Sequence, residues 1–357
     1  MPARRSHGAG GKLMIFNLNK NKRMVMGVVA PVVIASVVYF FTSGNSFEIS
    51  KNRDKDNLIY EPHPLTGQKC ENYNKRPFAV MLAADPVARP LASISMADVV
   101  VEMPVVKDSI NRLMALYVCS EPEEIGSVRS ARHDFIPLAA GFDAIYAHWG
   151  GSSFALKDLD KGIIDNIDAL INPNEAFYRK QGIPMPHDGF TSYERLKKTT
   201  EYLGYRLENN FEGYKYIDGQ SRKEDGATTL VINYPYPHSV SYIYNKDTNT
   251  YLRWRGGSPE LDKLTGNQVR TNVIVVIKTT SRRLNADYND VDITGSGEAL
   301  VFQNGEVVPA RWEKEEALSA KLKFVNEGGE EITFVRGKMW LNYIDYGTQV
   351  IWGEKKL

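Results

Sequence analysis

From Met24 to Phe41 the chain carries no charged side chain. A helix that crosses a bilayer needs about 20 mainly apolar residues, with ~17 as the lower limit, and this run qualifies. Arg4, Arg5, Lys12, Lys20, Lys22 and Arg23 precede it with no acid among them, and Glu48 follows it. Tyr39, Phe40 and Phe41 suit the far interface. This asymmetry predicts a basic cytoplasmic segment (1–23), a transmembrane anchor (24–43), a polar tether (44–60) and a folded bulk outside the membrane. A cleaved signal peptide is the competing reading, since Ser36 and Thr42-Ser43-Gly44 are small enough for processing. No cysteine follows the run before Cys70, too far on for lipid attachment.

The 357 residues are enough for two domains with full cores. A net charge of +1 argues against a general nucleic-acid binder, so no nucleic-acid partner is expected. The two cysteines, Cys70 and Cys119, both fall in the external part. There they most simply form one disulfide, with two buried thiols as the alternative. Neither has a histidine or second cysteine at ligand spacing, so no metal is expected. No cofactor motif occurs either.

Beyond Glu61 the pattern divides. Residues 61–208 alternate strand-like and helix-like runs and read as an α/β (α+β sandwich) ligand-binding domain. Its strands are expected at 77–84, 97–103, 112–119 and 144–148, with 125–129 closing a hairpin on 112–119. Helices are expected at 135–140, 154–161 (capped by Ser152 or Ser153) and 191–202. Residues 226–357 read as a mainly antiparallel β domain. Its strands fall near 228–234, 240–244, 250–255, 272–278, 298–302, 306–312 and 330–335. Asn304-Gly305 and Gly328-Gly329 supply hairpin turns.

Several motifs in fixed order resemble the YerB-like family of bacterial envelope proteins. They are Pro64-Leu-Thr-Gly67, Arg76-Pro-Phe-Ala-Val-Met, Ala88-Arg-Pro, Ala97-Asp-Val-Val-Val-Glu, Ile125-Gly-Ser-Val-Arg-Ser-Ala-Arg132, His148-Trp-Gly-Gly-Ser and Pro186-His187. Tyr251-Leu-Arg-Trp, Leu264-Thr-Gly266, Asn272-Val-Ile and Gly337-Lys-Met-Trp340 extend the likeness through the second half. The resemblance implies an extracytoplasmic location and a two-part layout, and no settled biochemistry. Many relatives are lipoproteins, from which this chain's apolar run departs. A weaker similarity links the order of elements to LytR-CpsA-Psr transferases, which act on polyprenyl-pyrophosphate-linked polymers. That resemblance implies acids where this chain has Ser130 and Asn111-Arg112, which puts metal-assisted transfer in doubt.

Candidate chemistry centres on Arg129 and Arg132, three apart after a predicted strand, beside Ser127 and Ser130. Guanidinium groups grip phosphate or carboxylate bidentately, and Arg112 would join them from the paired strand. The alternative is an internal ion network using Asp98, Glu102 or Asp134. Gly150, Gly151 and Ser152 open a helix whose free N–H groups could add to an anion site. His148 ends a strand and His187 sits in a loop able to fold over a cleft, although lone histidines are more often structural. No Gly-x-Ser-x-Gly elbow occurs, so no catalytic residue is assigned. The alternation Tyr251, Arg253, Trp254, Arg255 fits either a sugar-stacking stripe or a buried sheet face. The leading expectation is a non-enzymatic, membrane-anchored binding protein for an anionic, phosphate-bearing envelope ligand. A lipid-linked wall precursor or wall polymer is the candidate partner, and a transferase or a scaffold for wall machinery are the alternatives.

The topology reading has a direct check. Protease added to spheroplasts should cleave sites after Ser43, and protection of that region in intact spheroplasts would overturn the orientation.

Overall fold

The structure, a computed structural model, describes residues 60–221 and 228–353. The basic segment, the apolar run and nearly all of the tether lie outside the described residues, as do 222–227 and 354–357. Among the described residues no helix is long and apolar enough to cross a membrane.

The described chain is mostly β, where the sequence pattern suggests α/β for its first half. Its helices are short: α1 (Ile136–Gly141), α2 (Ser153–Leu159) and α3 (Tyr193–Tyr202). Ser152 caps α2 and Ser192 caps α3, each accepting from the N–H three residues on.

The strands of the largest sheet, with those of a smaller one that packs on it, are numbered in chain order. The first five are β1 (Phe78–Ala83), β2 (Val99–Pro104), β3 (Asn111–Tyr117), β4 (Ile145–His148) and β5 (Asn166–Asp168). Then come β6 (Thr229–Ile232), β7 (Val240–Asn245), β8 (Thr250–Arg255), β9 (Val273–Thr279) and β10 (Gly295–Gln303). The last are β11 (Glu306–Lys314), β12 (Lys323–Val325), β13 (Met339–Asp345) and β14 (Val350–Gly353). The ten-stranded sheet runs β12-β11-β10-β9-β13-β2-β3-β1-β4-β5. A smaller sheet holds β8-β7-β6-β14. The large sheet therefore passes without a break from the first half of the chain into the second, through parallel pairing of β13 with β2.

Both faces of this sheet are covered, which explains why its central strands are unbroken apolar runs rather than alternating ones. In β1, Ala79 and Met81 face a core that includes Ile136 and Leu138 of α1. Phe78, Val80 and Leu82 face the opposite core, with Tyr193 and Leu196 of α3. Farther along, Ile274 and Val276 of β9 meet Leu230, Ile232 and Tyr242 of the smaller sheet. At the β10–β11 hairpin, Asn304 (φ 55°) and Gly305 (φ 76°) form the positive-φ turn the dipeptide predicts.

The expected hairpin between 112–119 and 125–129 does not form. Both edges of β3 are occupied, by β1 and β2. Ile125–Gly126 pairs instead with Gly189–Thr191, and Val128 bridges to Leu82 of β1. The Cys70–Cys119 disulfide is present, with Cα atoms 5.4 Å apart. It pins the short ribbon of Glu61–Pro62 and Lys69–Cys70 to the chain just after β3. Beside it Asp98 accepts from Val118 N (2.7 Å) and Cys119 N (3.0 Å).

Between the two sheets lies a buried quartet of charges. Arg253 and Arg255, two apart on β8, both point inward. Arg253 contacts Glu102 (2.5 Å) and Glu260 (2.6 Å). Arg255 contacts Glu102 (2.8 Å) and Glu260 (3.0 Å). Asn111 donates to Glu102 at 2.7 Å, and Tyr242 hydrogen-bonds Arg253 and Asn342. Burial raises the Glu102 pKa, but Arg255 and Arg253 outweigh it and hold the carboxyl down at about 2. The Tyr251, Arg253 and Arg255 side of β8 is thus a buried face, and its arginines are neutralised by Glu102 of β2 and by Glu260.

Glu102→Ala should therefore cost roughly 3–5 kcal/mol at neutral pH, because it leaves two buried guanidiniums with one counter-charge between them, Glu260. The wild-type contribution is complete above the unfolded carboxyl's pKa of about 4.5 and is lost as pH falls toward 2. Urea unfolding of both proteins at pH 7 and pH 3 checks this, and equal stability at pH 7 would refute it.

Candidate functional site

β1 and β4 run parallel and pair only from Phe78–Val80 to Ile145–Ala147. Beyond Val80 they part, and residues 127–132 fill the gap. On one side Ala83 N donates to Ser127 O (3.1 Å) and Arg129 N to Met81 O (2.8 Å). On the other, Trp149 N donates to Arg129 O, Ala131 N to Gly150 O and Ser152 N to Ala131 O. The crevice beyond the carboxyl ends of parallel strands is where ligands commonly bind in such sheets. Here the wedge is fixed along both edges.

This geometry brings the three arginines together. Arg112 lies opposite Ala83 across the β1–β3 ladder, at the same end as the wedge. Its side chain is buried and donates to Asp85 Oδ2 at 3.0 Å. Arg129 donates to Pro186 O at 3.0 Å. Arg132 donates to Ala131 O and lies 5.3 Å over the Tyr288 ring. Burial lowers the Arg112 pKa to about 10, Asp85 opposes the fall, and Arg129 and Arg132 add to it. Arg129 and Arg132 are likewise lowered, first by burial. Asp85 is held below the ordinary carboxylate value although burial pushes it up, because Arg112, Arg129 and His187 lie near. His187 is lowered by burial and then by Arg129.

Asp85 is the one carboxylate, among the described residues, in ion-pair contact with any of these arginines. The acids considered as internal partners are engaged elsewhere: Glu102 with Arg253 and Arg255, Asp98 with backbone N–H groups, Asp134 with His133. Donors are left over. The Nε atoms of Arg112, Arg129 and Arg132, the Ser127 hydroxyl and His187 Nδ1 are all buried without a hydrogen-bond partner. Leaving such groups unmatched costs about 1–3 kcal/mol each, so the cost is concentrated at this one place. Ser130 sits half-buried on the same wedge.

Other candidates do not join them as ligand groups. Gly150 N already donates to Asp168 Oδ1 (2.8 Å), and its carbonyl accepts from Ala131 N. Ser152 Oγ accepts from Ala155 N. Gly151 is a packing position, since a Cβ there would come within 3.2 Å of Ala131 Cβ. The short helix thus brings no free N–H from Gly150, and the Ser152 hydroxyl oxygen is engaged as the cap. His148 is fully buried, with Nδ1 2.9 Å from Gly150 O and Nε2 3.2 Å from Asn166 Oδ1. It borders a separate cavity of about 220 Å³ with Asn166 and Tyr205, whose walls include none of the three arginines. Asn111, where the transferase resemblance implies an acid, is buried and supports Glu102.

Sequence reasoning missed Asp85. An acid just past an apolar strand, before Pro86, is a local signal that could have found it. Pro86 also opens a cavity of about 360 Å³ walled by Arg89, Tyr236, Pro237 and Arg255. A second group missed is His133, Asp134 and Asp290, whose ligand-type atoms all lie within 4.8 Å of one another. Asp290 is remote in sequence, so no spacing motif could show it.

Residues 65–206 match the N-terminal domain, and 230–341 the C-terminal domain, of a family described as protein of unknown function (DUF3048). A Bacillus subtilis (strain 168) protein described as "Putative lipoprotein YerB" is 31% identical over 287 residues, 79% of this chain and 85% of that one. The crystal structure of YerB protein from Bacillus subtilis has a TM-score of 0.72 at 30% identity, covering 81% of this chain and 98% of that chain. Matched in both halves and over most of its relative's length, the chain belongs to the YerB-like (DUF3048) family.

Proposed function

We propose that this protein is held at the outer face of a bacterial membrane and binds an anionic, phosphate-bearing envelope ligand on Arg112, Arg129 and Arg132. The observation that carries the reading is the set of three buried Nε donors without acceptors, of which only Arg112 has a carboxylate partner, Asp85. A phosphate or pyrophosphate group has the acceptor geometry that guanidinium forks match. Ser127 and His187 stand by to complete the shell. The envelope location draws on the relative described as a lipoprotein, on the disulfide, which belongs to oxidising compartments, and on the basic-then-apolar leader.

Two variants test the site with inorganic pyrophosphate as the probe. Arg129 is only partly buried and pairs with a single carbonyl. Arg129→Ala should weaken pyrophosphate binding ~10-fold or more by titration calorimetry while the melting temperature changes little. Unchanged binding together with a large drop in melting temperature would make Arg129 structural and sink the proposal.

Asp85→Asn removes the internal counter-charge while keeping the shape. Without ligand it should lose ~1–3 kcal/mol, because Arg112 remains buried. Pyrophosphate should then raise its melting temperature more than it raises that of the wild type. An equal or smaller rise would argue against an anion seat at these arginines.

A further inference from the structure

The 3-10 turn His133–Phe135 directly follows Arg132. A hairpin formed by Ser281–Arg283 and Asn289–Val291 packs on it. The contact is specific: Val291 N donates to Asp134 Oδ1 at 3.2 Å, and the Phe154 ring meets both His133 and Tyr288. It places His133 Nε2 3.2 Å from Asp134 Oδ1 and 3.2 Å from Asp290 Oδ1.

We propose that His133, Asp134 and Asp290 form a binding site for a divalent transition-metal ion of the Zn²⁺ or Mn²⁺ type. Metal–ligand bonds of ~2.0–2.2 Å in tetrahedral geometry separate neighbouring ligand atoms by about 3.3–3.6 Å. Both nitrogen–oxygen separations are close to that range, and all three ligand-type atoms fall within 4.8 Å. A set of one imidazole and two carboxylates suits a borderline ion better than Mg²⁺ or Ca²⁺, which prefer oxygen alone. Three protein ligands leave a position open for water or an anion.

A second observation separates this group from an ordinary surface cluster. Asp134 is 3% exposed, and its Oδ2 is buried with no hydrogen-bond partner. His133 Nδ1 is in the same state. A histidine ion-paired to two aspartates accounts for Nε2 and the two Oδ1 atoms but leaves Oδ2 unmatched. A cation held by the Asp134 carboxylate would engage it. Asp290 is oriented from behind by Arg282, whose Nε and guanidinium nitrogen lie 2.7 Å and 2.6 Å from Oδ2, which leaves Oδ1 turned to His133. The site does not depend on the anion reading, although Arg132 adjoins it.

The test uses the full-length, metal-stripped protein, titrated separately with Zn²⁺ and Mn²⁺, with Mg²⁺ as the control. One equivalent of Zn²⁺ or Mn²⁺ should bind per chain, and more tightly than Mg²⁺. Asp290→Asn and Asp134→Asn should each weaken it at least ~10-fold. Asp290 is partly exposed, so its variant should fold even if the Asp134 variant does not. In wild type the Mn²⁺ spin-echo spectrum should carry imidazole-nitrogen coupling that His133→Gln removes. Failure of the wild type to bind either ion overturns the proposal and leaves the trio an internal ion pair. So does undiminished affinity in Asp290→Asn, which would put the metal elsewhere.

Discussion

Glu102 is the residue on which the joint between the two sheets depends. It lies on β2, where Val99, Val101 and Met103 alternate into one core, so its own side chain must enter the opposite one. A lone carboxylate there would cost several kcal/mol in desolvation. Two guanidinium forks and an asparagine amide supply it instead with charge-assisted hydrogen bonds. Glu260 balances the second positive charge, so four buried ions sum to neutrality. Arg253 also lies over the Trp340 ring, its Cζ 3.7 Å from the ring centroid, a contact a lysine would not reproduce. Such a quartet fixes register more surely than apolar packing, because a strand slip would leave full charges unpaired in the interior.

The arginine crevice is attached to this joint. Arg89 donates from Nε to Ala84 O at 3.1 Å and from a terminal nitrogen to Pro237 O at 3.2 Å. It thereby ties the loop carrying Asp85 to the smaller sheet's first turn. Its pKa falls to about 10, through burial and then through Arg255 of the quartet, so the two charge groups lie within electrostatic range. The carboxylate facing Arg112 is therefore positioned from both halves of the chain. Distortion at Glu102 would be felt at Asp85 through one loop.

Much of the strand content was legible, because sheet strands covered on both faces announce themselves as apolar runs such as Phe78–Ala83. What periodicity cannot supply is the identity of the neighbour. The pattern marks 112–119 and 125–129 as strands near in sequence, and proximity suggests a hairpin. The actual pairing turns on β2 having claimed the free edge of β3. β13 was noticed only through its Gly337-Lys-Met-Trp motif, yet it joins the two halves of the large sheet. The charges teach the same lesson. Arg129 and Arg132 are legible as a cluster from their spacing, but Asp98, Glu102 and Asp134 remain open as their partners, because sequence gives no view of Arg253, or of Asp290 beside His133. Gly150 reads as part of an anion-binding turn, whereas its N–H is already given to Asp168.

The buried groups that lack partners are unevenly distributed, and that distribution bears on function more than any single residue does. Several fall on the 127–132 wedge, on the turn that follows it and on residues near them: Arg112, Ser127, Arg129, Arg132, His133, Asp134 and His187. Folding alone gives no reason to gather unmatched donors and acceptors on a segment whose backbone is otherwise bonded along both edges. A rigid frame with unsatisfied side chains is the arrangement on which the proposed anion site rests. The stability lost at the wedge can be borne because the Glu102 quartet and the continuous sheet hold the surrounding strands in place, so the crevice can remain polar without opening.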